Sequence, residues 1–298
     1  MAGQGTPIRA SDYNSIQTTI SNVLGTGSGS TGYGQTVTSG QVSVGGKIVA
    51  SDWVLLRNDL LAARQHQTGN NEGGQLTPIT TTTIVRETDR AAYYNFAQLV
   101  LANQNVTPPS GQATLTTFNS SSRSTAWNGT ITHTVTLQFP SYNAARYYFN
   151  SGGNVQFSAS NSNFPSDGSY VKSNDWATML SNMGTITMNL STTATSGSGS
   201  AAGSIGFYQL NTGYQTLFTK STSSPTYSPN QYDIRAKVDG SGAIITFIME
   251  FQDLSAPGGF GVDENVEGTL TSTVQGYYAS GSNVSVSGYT PSVTSTGP

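Results

Sequence analysis

Chemistry near neutral pH draws on histidines, thiols or closely spaced carboxylates. The chain has 2 histidines and no cysteine among 298 residues, so it can barely supply a zinc site, which normally takes several His or Cys ligands. His133 lies on the apolar side of an alternating run, Ile131 to Leu137, which predicts a hydrogen-bonded imidazole in the core or an interface. His66 closes a helical run as His66-Gln67-Thr68-Gly69 and is expected to sit against the negative end of that helix. The tightest acidic group is Asp263, Glu264 and Glu267. Paired carboxylates could cleave a glycoside or hold calcium through oxygens. This group lacks the alternating Asp/Asn spacing of a calcium loop, and an acidic loop ahead of a strand is the expected reading. The doublets Tyr147-Tyr148 and Tyr277-Tyr278 could stack on a sugar or fill a subunit interface, with one member of each facing outward. The interface is the preferred reading. Gly27-Ser28-Gly29-Ser30 and Gly197-Ser198-Gly199-Ser200 are linker composition, without the partners of a serine nucleophile or the ending of a phosphate loop. No catalytic, cofactor-binding or metal-binding residue is assigned, and the chain is read as a non-enzyme.

The elements that would position these residues follow from periodicity. Ile8 to Tyr13 recurs as Ile48 to Trp53, and in both copies Ser-Asp precedes a helical run, which is N-cap chemistry. The first run carries Tyr13, Ile16, Ile20, Val23 and Leu24; the second carries Trp53, Leu56, Leu60 and Ala63. Between them Gly25–Gly46 is Gly/Ser/Thr-rich, and the alternation of Val42 and Val44 predicts a short hairpin. Asn70–Thr83 reads as a polar linker. A third helix is expected from about Thr88 to Asn103, with Tyr93, Phe96, Ala97, Val100 and Leu101 as its apolar stripe.

From about Gln112 the period changes to two. Leu115–Phe118 is a candidate strand. Thr130–Ser160 is the densest stretch: a strand stopped by Pro140, a short helix capped by Ser141 with Tyr142, Ala145, Tyr148 and Phe149 on one face, then a strand from Val155. The 14-residue connection between these strands suits either a parallel crossover or a helix over an antiparallel neighbour. Ser173-Asn174 caps a helix bearing Trp176, Met179, Leu180 and Met183, followed by alternating Ile186, Met188 and Leu190. Thr192–Ser204 reads as an exposed loop. Strands are expected over Ile205–Leu210, Gln215–Lys220 and Thr269–Tyr278, and a hairpin over Tyr232–Val238 and Ala243–Gln252 turning at Asp239-Gly240-Ser241-Gly242.

The fold class is therefore α+β: an N-terminal helical region followed by a β-sandwich-like domain of about eight strands with two short covering helices. The expected divisions are 1–105 for attachment and oligomerisation, 106–280 for the β-rich domain and 281–298 for a Ser/Gly/Thr-rich tail. Charged residues are only 9 % of the chain and the net charge is −3, so phosphate-neutralising patches are missing and a nucleic-acid partner is not expected. Aromatics at 10 % set the chain apart from disordered sequences. Its surface must be solvated by hydroxyls and amides, which repel neighbours weakly and suit a packed assembly. No apolar run reaches a membrane span, and the start, Met1 to Gly5, has neither the basic residues nor the apolar run of a secretory leader.

Several segments together resemble a family of virion structural proteins of tailed bacteriophages, including phages of cyanobacteria. They are Ile8–Ile16, Val23–Gln35, Leu56–Gly69, Thr134–Ser160, Asn174–Ile186, Gly206–Leu210 and Val262–Gln275. The resemblance spans nearly the full length and rests on no mechanistic motif. It implies a non-enzymatic component of the tail, neck or a fibre-like appendage, assembled in the host cytoplasm into the virion. Its partners would be further copies of itself, other virion proteins and, in a receptor-recognition role, a host-surface glycan. A carbohydrate-binding or depolymerase protein of the tail is the alternative expectation.

Overall fold

Three aspartates start three helices. Asp12, Asp52 and Asp89 each occupy the third helical position and accept the backbone N–H of the residue before the helix: Arg9 at 2.8 Å, Val49 at 2.9 Å and Arg86 at 2.8 Å. The helices are α1 (Ala10–Leu24), α2 (Ala50–Thr68) and α3 (Glu87–Ala102). Ser11 and Ser51 thus lie inside the first turn, and the expected Ser-Asp cap is corrected to a reach-back from the third residue. A carboxylate there satisfies an exposed donor and meets the positive end of the helix dipole. The same device opens α3, where the sequence repeat had no visible third copy.

The computed structural model describes residues 8–70, 72–115, 120–164, 170–255 and 264–298. The chain divides into two compact units. The first takes residues up to 113 together with 146–153 and 278–289. Its core joins one face of each helix: Tyr13, Ile16 and Ile20 from α1, Trp53, Leu56 and Leu60 from α2, Tyr93, Phe96 and Val100 from α3. Edge-to-face rings tie the three together, Tyr13 to Trp53 at 5.3 Å and Trp53 to Tyr93 at 5.1 Å. Each such pair adds about 0.5–1.5 kcal/mol beyond its buried area.

Residues 36–44 form no hairpin. Their backbone groups are taken by helix side chains instead. The Asn14 amide donates to Val42 O and accepts from Val42 N–H. Gln17 donates to Ser39 O, and Asp59 accepts from Thr38 and Ser39. The stretch read as a polar linker is likewise fastened, with Leu76 and Ile79 buried and the Arg57 guanidinium donating to the carbonyls of Gly73 and Leu76.

The second unit comprises residues 114–145, 154–277 and 290–298. In one sheet β11 (Thr269–Ala279) pairs with β4 (Asn154–Ser162), then come β5 (Ile186–Met188) and β6 (Thr193–Thr195), while β2 (Ser120–Arg123) also pairs with β11. The other runs β12 (Ser292–Thr296), β3 (Gly129–Gln138), β10 (Ile244–Asp253), β9 (Gln231–Val238), β8 (Gln215–Ser221) and β7 (Ser200–Ala201). The short β1 (Gln112–Thr114) lies where the chain leaves the first unit. The described pairings are antiparallel. Val135, Leu137, Phe247 and Ile234 point inward from the second sheet, Val155, Phe157, Ile186 and Val274 from the first, and the Phe157 and Phe247 rings meet at 5.1 Å. Alternation therefore builds the sandwich expected from sequence, and the fold is α+β.

The strands flanking α4 (Tyr142–Asn150) lie in different sheets, so Pro140–Gly153 is neither a parallel crossover nor a cover between antiparallel neighbours. Ser141 Oγ accepts from Ala144 N–H at 3.1 Å, the expected cap. The last turns of α4, from Arg146, belong to the first unit. Helix α5 (Val171–Asn182) starts two residues before the expected Ser173-Asn174 and buries Trp176, Met179 and Leu180. Phe207–Gln209 is a 3-10 turn rather than a strand, because the amides of Phe207 and Tyr208 are taken by Asn189 O and Leu190 O. Thr192–Ser204 is not a plain exposed loop: it supplies β6 and β7, and Thr193 is buried. Most of Leu115–Phe118 lies outside the described residues.

Candidate functional site

His133 sits where alternation placed it, fully buried, with Nδ1 2.9 Å from Ser272 Oγ and Nε2 2.9 Å from Ser295 Oγ. Both nitrogens are thus satisfied by hydroxyls, and burial pushes its pKa from 6.5 down to about 4. It is a neutral core residue, as expected. His66 departs from expectation. Burial pushes its pKa down to about 4 as well, so it carries no charge for the helix end. Its Nε2 instead lies 2.9 Å from Thr107 Oγ1 and 3.1 Å from Ser151 O, and its ring meets Tyr33 edge-on at 5.0 Å. Gln67 beside it donates to Tyr33 Oη and Val100 O. This is a buried polar clasp within the first unit.

The acidic loop is held by its backbone. Glu264 O accepts from Lys172 Nζ, Glu267 N–H donates to Ser173 Oγ, and Glu267 O accepts from Asn161. Asp263 lies outside the described residues. Among the described residues no three His, Asp or Glu side chains gather as a metal-binding group. Tyr147 and Tyr148 lie on the expected short helix and are both buried, which corrects the expectation that one faces outward. The Tyr147 ring packs on Tyr289 at 5.0 Å and against the backbone of Gly34. Tyr277 and Tyr278 are each half-buried.

Sequence reasoning missed three constellations. One is the Asp59 carboxylate, 3 % exposed, which gathers the N–H groups of Thr38 and Ser39. Another is the ion pair of Lys172 and Asp253 at 3.0 Å, fully buried in the second unit. The third is a small cleft, with room for about 40 Å³, lined by Asp175, Thr178, Met179, Asn182, Lys220, Ser221, Thr222 and Ser223. Burial raises the Asp175 pKa there, opposed by a hydrogen bond from Thr222. With one carboxylate in its lining, the cleft can hydrogen-bond a polar ligand but lacks the acid–nucleophile pair that glycoside cleavage uses.

The surface of the first unit is more telling than any cleft. Helix α3 carries no charge after Arg90, and neither does the chain on to Val106. Its solvent side presents Ala92, Asn95, Leu99, Ala102 and, past the helix end, Val106 at alternating spacings of three and four, with Tyr94 alongside. Tyr94, Leu99 and Val106 are 37 %, 38 % and 51 % exposed. Outward helix positions are normally charged, so the outer side of α3, opposite the stripe that fills the core, is unusual in being uncharged and partly apolar. Helix α1 likewise has no charge beyond Asp12. Among the described residues no helix is long and apolar enough to cross a membrane. No protein-family model, curated protein or solved structure matches the chain.

Proposed function

We propose that the protein is a non-enzymatic structural component of a tailed-phage virion, placed in the tail, neck or a fibre-like appendage and acting by homo-oligomerisation and docking to other virion proteins. The observation that carries the assembly part is the uncharged outer stripe of α3, from Ala92 to Val106. A helix face of this kind gains free energy when a neighbour covers it, at about 25 cal/mol per Å² of apolar surface removed from water. The sparse charge of the whole chain supports the same reading, since little opposes close approach of copies. The virion assignment rests on the resemblance of the sequence segments. Enzymatic readings lack a solvent-open histidine to work with, since His66 and His133 are both buried.

The test is sedimentation of the full chain together with its Ala92→Glu/Leu99→Glu variant. The wild type should form a defined oligomer. The variant should dissociate at concentrations where the wild type holds, because a carboxylate left unpaired in an interface costs about 2 kcal/mol or more, roughly 30-fold in Kd. A wild type that remains monomeric and is missing from purified particles would refute the proposal.

A further inference from the structure

Lys172 and Asp253 form an unusual pair for so lightly charged a chain. Lys172 is the second residue of α5 and Asp253 the last of β10. Nζ lies 3.0 Å from Asp253 Oδ2, and the two side chains are 0 % and 1 % exposed. The surroundings are aromatic. Nζ is 5.6 Å from the centroid of the Tyr227 ring. Trp176, one turn along α5 from Lys172, has its ring 6.4 Å from that of Phe251, two residues before Asp253. Two further contacts fix the reacting atoms. Ser255 Oγ donates to Asp253 Oδ1 at 2.8 Å, and Glu264 O accepts from Nζ at 3.0 Å.

An ion pair in such a place pays heavily for lost hydration. We propose that Lys172 and Asp253 are a modification site of the protein itself, joined by an intramolecular isopeptide bond. A proton passes from Nζ to Oδ2 along their hydrogen bond, leaving an amine and a carboxylic acid. The amine lone pair adds to Cγ, and the charge gathering on Oδ1 is met by the Ser255 hydroxyl, the role of an oxyanion donor. The Cγ–Oδ2 bond then breaks. Oδ2 leaves as water with two protons that began on Nζ, and the third stays on the amide nitrogen, aimed at Glu264 O. No oxidant, cofactor or second protein enters the balance. Holding amine and acid in contact supplies the effective concentration that free side chains lack.

The product removes both buried charges and closes a covalent ring of chain between positions 81 apart. It ties the helix leading into β5 of one sheet to β10 of the other, within the second unit. This inference does not depend on the assembly reading.

The experiment is the intact mass of the natively purified full chain, followed by tryptic mapping. The expected mass is one water below that of the sequence, with the peptides of Lys172 and Asp253 recovered as one branched species. Lys172→Arg should restore the full mass. Asp253→Asn should come out one ammonia light, because the amide nitrogen leaves in place of Oδ2. The wild-type measurement stands even where a variant does not fold. A folded wild type of full sequence mass, or a water loss that maps to other residues, overturns the proposal and leaves an ordinary buried ion pair.

Discussion

Acid should loosen the first unit through His66, and the hydrogen bonds say why. Thr107 Oγ1 donates to Ser151 O at 2.5 Å, which uses its one proton. Its contact with His66 Nε2 at 2.9 Å must then have the imidazole as donor, so the neutral ring carries its proton on Nε2. Nδ1 is left as a buried lone pair with no partner among the described residues. A second proton can only go there, where it makes an imidazolium with an N–H that nothing accepts, on a residue 5 % exposed. Burial accordingly lowers the pKa from 6.5 to about 4.

The folded state binds this proton more weakly than the unfolded chain. Stability is therefore full above about pH 6.5, falls as pH drops toward about 4, and levels off below that. At 1.36 kcal/mol per pKa unit the interval amounts to about 3 kcal/mol. The assay is urea unfolding of the wild type and of His66→Gln at a series of pH values, read by hydrogen exchange of the α2 amides. Glutamine keeps an N–H donor near Thr107 and does not titrate. His133 shifts in the same direction but is present in both proteins, so it cancels in the difference. The wild type should lose about 3 kcal/mol more than the variant between about pH 7 and pH 4. Parallel pH profiles for the two proteins would show that His66 is not desolvated in the way the geometry requires.

Two other substitutions probe the same unit. Asp59→Ala removes the acceptor for the buried Ser39 N–H at 2.7 Å and for the more exposed Thr38, and should cost about 2–3 kcal/mol. Faster exchange confined at first to residues 37–43 is the signature; an unchanged urea midpoint contradicts it. Gly34→Ala combines a left-handed φ of 71° with a Cβ only 2.5 Å from the Tyr147 ring. A loss of about 2–3 kcal/mol is expected, against about 1 kcal/mol for Gly29→Ala, whose φ of 54° faces open space, and thermal melting distinguishes the two.

Residues whose partners share a period with them were legible in sequence, and residues whose partners are backbone carbonyls were not. The stripes of α1, α2 and α3 and the alternation of β3, β9 and β10 each bury a whole face, so the pattern survives in one dimension. The Asp239–Gly242 turn is as plain, with the carboxylate accepting from Ala243 and Ile244 and Gly242 at a φ of 74°. By contrast, the Gly25–Gly46 hairpin failed because Asn14, Gln17 and Asp59 replace a strand partner, and a side-chain amide leaves no period in the segment it holds. Arg146 and Asn150 do the same for the loop before it, donating to Gly29 O and Thr31 O. The outer stripe of α3 could have been read directly, since Ala92 to Val106 without one charge is abnormal for a helix with only one face to bury.

The buried pair was also within reach, by the rule that found His133. Ile245, Phe247, Met249 and Phe251 alternate along the inward face of β10, and the next inward position is Asp253. A carboxylate in that place needs a cation or a proton, because an unpaired buried charge costs more than most of the strand's other contacts contribute. The whole chain holds 12 lysines and arginines, so the candidates were few. What one dimension cannot supply is that Lys172, 81 residues away in the first turn of a helix, is the cation that reaches Asp253. The first turn ordinarily disfavours a cation, since the helix dipole is positive there. Lys172 and Asp253 each break the local rule of their own element, and each violation is answered by the charge of the other.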